Sequence, residues 1–255
     1  MDTRRRLVAN TGVVGAGIAA SGSVPAAPPA YHGPNVIIVR FGGGVRRRET
    51  IDTAHTYSPY LIKELATQGT LYRNMLVDDS QHIETSHGQG TLYLLTGRYD
   101  ELVNQSDQIL GERFEPPAPT LFEYLRRGFA IPSHHALILN GEDRTGEEFY
   151  TFSNHHEYGI AYRSEVLSLF RFKIWLARKR LDEDNFATPQ EKRQTERQLA
   201  QMLGVAVRQS EREGQGPELD KYWQDWHAHY GAGGFVDARG DRLLTELARR
   251  AMQAL

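Results

Sequence analysis

The chain contains no cysteine. That excludes disulfides, thiolate nucleophiles and cysteine-ligated zinc. It also lacks an excess of charge of one sign. Against 30 lysines and arginines stand 32 aspartates and glutamates, a formal net charge of −2. No global field draws nucleic acid or an anionic membrane, so no nucleic-acid partner is expected. Long apolar runs are missing too. A membrane helix needs ~20 consecutive apolar residues, and the best stretch, Val13 to Ala20, is short and glycine-containing. No membrane span is expected in the mature protein. What is present is ordinary. Over 255 residues, 40% are apolar and 24% charged, enough for one large domain with its own core.

The first 30 residues read as a targeting segment rather than as fold. Thr3-Arg4-Arg5-Arg6-Leu7-Val8 is a basic start of twin-arginine type. The Gly/Ala/Val run follows it, and Ser23 to Ala27 offers small residues suited to cleavage. This pattern predicts twin-arginine export to the periplasm or medium, with the fold beginning near Tyr31. A disordered Ala/Pro-rich leader is the plainer alternative.

Alternation of elements points to an α/β class. Asn35 to Phe41 is a continuous β-branched run that suits a strand buried on both faces, and Gly42-Gly43-Gly44 breaks it. Tyr57 to Thr67 reads as a helix with Tyr60, Leu61, Leu65 and Ala66 on one side, and Thr70 to Val77 as a strand. Gly90 to Leu95 reads as a buried helix. Thr120 to Arg127 is a short amphipathic helix closed by Gly128, and Ala136 to Leu139 a buried strand. Ile160 to Leu181 reads as one long helix. Thr188-Pro189-Gln190-Glu191 starts another, by cap, first-position proline and capping box, which runs to about Glu213. Residues 160–230 are therefore expected as a helical insertion. Asp241 to Leu255 carries Leu243, Leu244, Leu247, Ala248, Ala251, Met252 and Leu255 on one stripe that needs a partner surface. Either the chain is a piece of a longer parent or this is a terminal helix packed on the sheet.

The segment His82 to Asp100, HIETSHGQGTLYLLTGRYD, is the richest in chemical groups. Thr85, Ser86 and His87 stand ahead of a small-residue turn and an apolar helical run. A hydroxyl there needs a base or a cation to become a nucleophile. His82 and His87 are near enough in sequence to serve as base or metal ligand, though a spacing of five is not a one-face helical pair. The plainer reading is that residues 85–87 cap the buried helix. Gly42 to Gly44, with Arg46, Arg47 and Arg48 close behind, suit an anion held on backbone N–H groups, or simply a tight turn and a solvated basic run. His134-His135 and His155-His156 are adjacent pairs whose rings would diverge on a strand. His227 and His229 would share a face on a strand and bind zinc, but the flanking Trp223, Trp226 and Tyr230 favour a packed helix end or loop.

Three segments together resemble the alkaline phosphatase–sulfatase superfamily. Asn35 to Val39 with Gly42-Gly43 looks like its first strand and metal-binding turn. Leu94-Leu95-Thr96-Gly97-Arg98-Tyr99 matches the L-x-T-G-R-Y end of its nucleophile helix. Thr120 to Phe129 looks like its T-L-x-E-x-L-x-x-x-G-Y helix. The resemblance covers roughly residues 35–140. It implies a three-layer α/β domain with a largely parallel sheet, C-terminally incomplete here. It also implies hydrolysis of small anionic phosphate or sulfate esters with help from a divalent metal such as zinc or calcium. The nucleophile position falls on His87, with Ser86 and Thr85 beside it. The departures are as informative. Gly42 and Gly43 stand where the family places metal-holding aspartates. Cysteine, the source of formylglycine in most sulfatases, is absent. Asn140 and Gly141 replace an expected lysine. Two functions follow: an exported hydrolase homologue, inactive or incomplete in this form, or a non-catalytic exported protein that binds an anion or a partner.

Overall fold

The computed structural model describes residues 28–41, 45–74, 87–98, 115–141, 150–205, 216–235 and 240–255. Residues 3–27, on which the expectation of export rests, lie outside these residues.

Two strands organise the body. β1 (Leu137–Leu139) and β2 (Glu165–Leu167) pair in parallel, with Leu137 opposite Glu165 and Leu139 opposite Leu167. Side chains of a strand alternate between faces, and the packing follows that rule. Ile138 joins Leu92, Leu95, Phe122 and Tyr150. These come from α3 (His87–Thr96), α4 (Leu121–Phe129) and the turn before β2. Leu137 and Leu139 join the main core, built from α5 (Leu169–Asp182), α7 (Pro217–Tyr230) and α8 (Asp241–Ala254). Helices therefore cover both faces of the strand pair, and the α/β class stands.

The main core is aromatic. Trp223 and Trp226 are fully buried, and Phe172 and Tyr222 nearly so, with Leu167, Leu219, Leu243 and Leu247 around them. The stripe expected on the last helix is real: Leu243, Leu247 and Ala251 face this core, while Met252 is exposed. α6 (Pro189–Val205) packs along α5 and starts where Thr188 and Pro189 direct. Thr188 Oγ1 accepts the Glu191 N–H at 3.2 Å. Glu191 reaches back to the Ala187 N–H at 3.2 Å, one residue earlier than a capping box requires.

Several elements differ from expectation. Asn35 to Phe41 belongs to no strand among the described residues, and all of it is exposed. No neighbouring ladder takes its backbone groups, so β propensity alone leaves it outside the sheet. Residues 70–74 form no strand; Arg73 and Asn74 lie in a turn, and 75–77 fall outside the described residues. The helix expected over 57–67 is a π-turn (Leu61–Leu65) running into α2 (Ala66–Gln68). It buries Ile62 and leaves Tyr60, Leu61 and Leu65 exposed. A four-residue α1 (Arg47–Thr50) precedes it. The single helix expected from Ile160 is instead a 3-10 turn (Gly159–Tyr162), then β2, then α5 capped by Ser168, whose Oγ accepts the Arg171 N–H. Three consecutive apolar-compatible residues, too few to show a period, hid the strand inside a helical composition. The segment 160–230 thus contributes a strand as well as helices.

Candidate functional site

Thr85, Ser86, His82 and Gly42 to Gly44 lie outside the described residues. His87 is the first residue of α3. The helix it opens is buried from its first turn: Gln89 and Leu92 are fully covered, and Thr91, Tyr93 and Leu95 nearly so. Leu92 and Leu95 of this helix pack with Phe122 of α4 and Ile138 of β1.

The far end of α3 explains part of the family-like motif by local physics. Thr96 Oγ1 donates to the Leu92 carbonyl at 2.7 Å and accepts the Arg98 N–H at 3.3 Å. Gly97 takes φ +67°, the left-handed conformation that ends helices and that glycine adopts without a Cβ penalty. Thr-Gly-Arg is thus a helix stop in its own right.

α4 behaves likewise. Thr120 caps it and Glu123 completes a capping box. Glu123 does more than cap. Its carboxylate is fully buried and accepts the Thr120 N–H at 2.6 Å, the Ser153 hydroxyl at 2.7 Å and the Gly159 N–H at 2.7 Å. Three donors satisfy this buried carboxyl group. It pins the 150–160 loop to the start of α4. The T-x-x-E spacing was readable in the sequence; the return of Ser153 and Gly159 was not. Contrary to expectation, Gly128 does not close the helix. It continues to Phe129 and stops at Ala130, which sits at φ +52°.

A second polar cluster lies at the amino ends of the two strands. Arg126 donates from Nε to the Ile131 carbonyl at 3.1 Å and from Nη1 to the Arg163 carbonyl. Arg163 stands 3.7 Å from the buried Glu165. His134 Nδ1 is 3.8 Å from Glu218 at the start of α7. Burial, then the neighbouring His135, holds the His134 pKa below its ordinary value. These groups join α4, β2 and α7.

The histidine pairs do not diverge. Neither pair is on a strand; the His134 and His135 rings meet at 4.5 Å edge-on, and those of His155 and His156 stack at 4.5 Å. His155 Nδ1 takes the Glu157 N–H at 3.2 Å. His227 and His229 fall near the end of helix α7, where two-residue spacing does not share a face. His227 packs near Phe172 and Trp175, and His229 against Tyr230. Among the described residues no group of three or more histidine, aspartate and glutamate side chains is placed to hold a metal ion.

Comparison with family models, curated proteins and solved structures finds no match to this chain. Among the described residues no helix is long and apolar enough to cross a membrane.

Position 141, where the superfamily resemblance leads one to look for a lysine near the end of β1, has a packing role. A Cβ on Gly141 would meet the Gly240 carbonyl at 2.9 Å and Leu244 Cβ at 3.1 Å. The chain there is pressed against the start of α8, so glycine is required by contact. His82, named with His87 as a metal ligand, lies outside the described residues. Gly42 and Gly43 bring no ligand atom, and no described cluster replaces them.

Proposed function

We propose that this chain is an exported relative of the alkaline phosphatase–sulfatase hydrolases that no longer turns over esters. One observation carries the reading. Two of the resembling segments, α3 with its Thr-Gly-Arg stop and α4, pack on each other and lead directly into a strand of a parallel pair. The order helix, helix, strand is the order the resemblance implies. The third segment supports loss of activity: Asn35 to Phe41 is outside the sheet and is followed by glycines in the acidic positions.

Catalysis of this class needs a stabilised nucleophile and a cation at the developing charge. Thr85, Ser86 and His87 could supply the first only with a base or metal beside them. The experiment is turnover of p-nitrophenyl phosphate and p-nitrophenyl sulfate by the purified chain, with zinc, calcium or magnesium added. No rate above buffer is expected, and Thr85→Ala with Ser86→Ala should change nothing. Metal-dependent turnover abolished by that double substitution would overturn the loss of activity. For export, Arg4→Lys with Arg5→Lys should hold the precursor in the cytoplasm; unchanged export counts against the twin-arginine route.

A further inference from the structure

Asn140 follows β1, and its N–H donates to the Leu167 carbonyl at 3.0 Å. Gly141 comes next in a bend, and both residues are half-buried. Of the chain's asparagines, Asn140 is the one followed by glycine. Asparagine is among the heat-labile residues. A following glycine exposes it most, because with no Cβ the next amide nitrogen reaches the side-chain carboxamide unhindered. Elsewhere a larger neighbour could remove this weakness; here the fold forbids one. The oxygen that a Cβ at 141 would meet at 2.9 Å is the Gly240 carbonyl. That carbonyl also accepts the Leu244 N–H at 3.2 Å, in the first turn of α8. Leu244 Cβ stands 3.1 Å from the same point. The packing of α8 on the end of β1 therefore imposes the labile dipeptide.

We propose that Asn140 is a site of self-modification, converted through a cyclic imide to aspartate and isoaspartate at a rate set by the docking of α8. The Gly141 nitrogen loses its proton to base and bonds to Asn140 Cγ. The carboxamide nitrogen takes up a proton and leaves as ammonia. Water then adds at one of the two imide carbonyl carbons. Cleavage of the new bond from nitrogen to Cγ leaves aspartate; cleavage of the original peptide bond leaves isoaspartate. The balance is one water in and one ammonia out, with no oxidant or cofactor. Ring closure swings Gly141 about the Asn140 ψ torsion. Gly141 is held against the first turn of α8, so the ring closes when that contact opens locally. The same contact thus imposes the reactive pair and restrains it. Isoaspartate carries the main chain through the side-chain methylene. It lengthens the link between the Leu167 ladder bond and the α8 contact and adds a negative charge there. This inference is independent of the ester-cleaving kinship.

Incubation of the full chain in mildly alkaline buffer, followed by peptide mapping with mass detection, tests it. Asn140 should convert to a mixture of aspartate and isoaspartate ahead of every other asparagine. The reaction should run about tenfold or more faster in guanidinium chloride than in the folded chain. Leu247→Ala loosens α8 and leaves residues 140 and 141 unaltered. It should speed the folded-state reaction about tenfold or more and leave the rate in denaturant unchanged. Gly141→Ala should slow the reaction in denaturant, a readout that does not require the variant to fold. An unconverted Asn140 in either state, or another asparagine reacting first in the folded chain, would overturn the proposal. So would equal rates in the folded and denatured chain, a folded-state rate indifferent to Leu247→Ala, or an unslowed Gly141→Ala.

Discussion

At the scale of single residues, Glu123 separates a motif from its meaning. In the sequence it belongs to a family-like T-L-x-E pattern; in the structure it is a fully buried acceptor for three donors drawn from positions 120, 153 and 159. Glu123→Gln keeps the shape but replaces one acceptor oxygen with an NH2 group facing a donor. Buried hydrogen bonds to charged groups are costly to leave unmade. The substitution should destabilise the chain by about 2–4 kcal/mol, read as a lowered urea midpoint with an unchanged slope. Capping was legible from four consecutive residues. The two further donors lie 30 or more residues downstream, and nothing in their own neighbourhood marks them.

At the scale of elements, most helices and the strand expected over 136–139 were legible, and the second strand was not. α3, α4, α6 and α8 carry caps, glycine stops or apolar stripes that operate within one or two turns. β2 is three residues long and earns its assignment only by pairing with β1. The reverse holds for residues 35–41: strong β composition, no ladder. Contacts between elements were equally hidden. Glu246 on α8 accepts bonds from Arg249, Arg250 and, across to α7, the Tyr230 hydroxyl. The bond from Arg249 does most to lower its pKa, from 4.5 to about 2. A carboxylate held below its unfolded value binds fewer protons in the folded state. Its stabilisation is full above pH 4.5 and is lost as pH falls toward 2. Glu246→Gln should flatten the acid-induced loss of stability across that window, followed by helical circular dichroism during acid titration.

At the scale of the whole molecule, stability resides in the core shared by β1, β2, α5, α7 and α8. Leu247 is fully buried there, and its carbonyl takes the Tyr222 hydroxyl at 3.2 Å. Leu247→Ala keeps that backbone bond and removes only packing, so it isolates the cavity effect, about 2–5 kcal/mol. Equilibrium urea unfolding should show this loss; a change under 1 kcal/mol, the size of a volume-conserving core swap, would mean that α8 is not part of the cooperative core. Composition indicated that a core exists, but its location depends on which helices cover which strand face, a long-range matter that no local window contains.

The aromatic core also dictates how this protein can be watched. All three tryptophans, Trp175, Trp223 and Trp226, lie on α5 and α7. Indole fluorescence will therefore report on the core that these helices share with the strand pair. Residues 31–41 carry no tryptophan, so changes there call for a separate dye, and a chain without native thiols accepts one at a single introduced cysteine, with no background labelling.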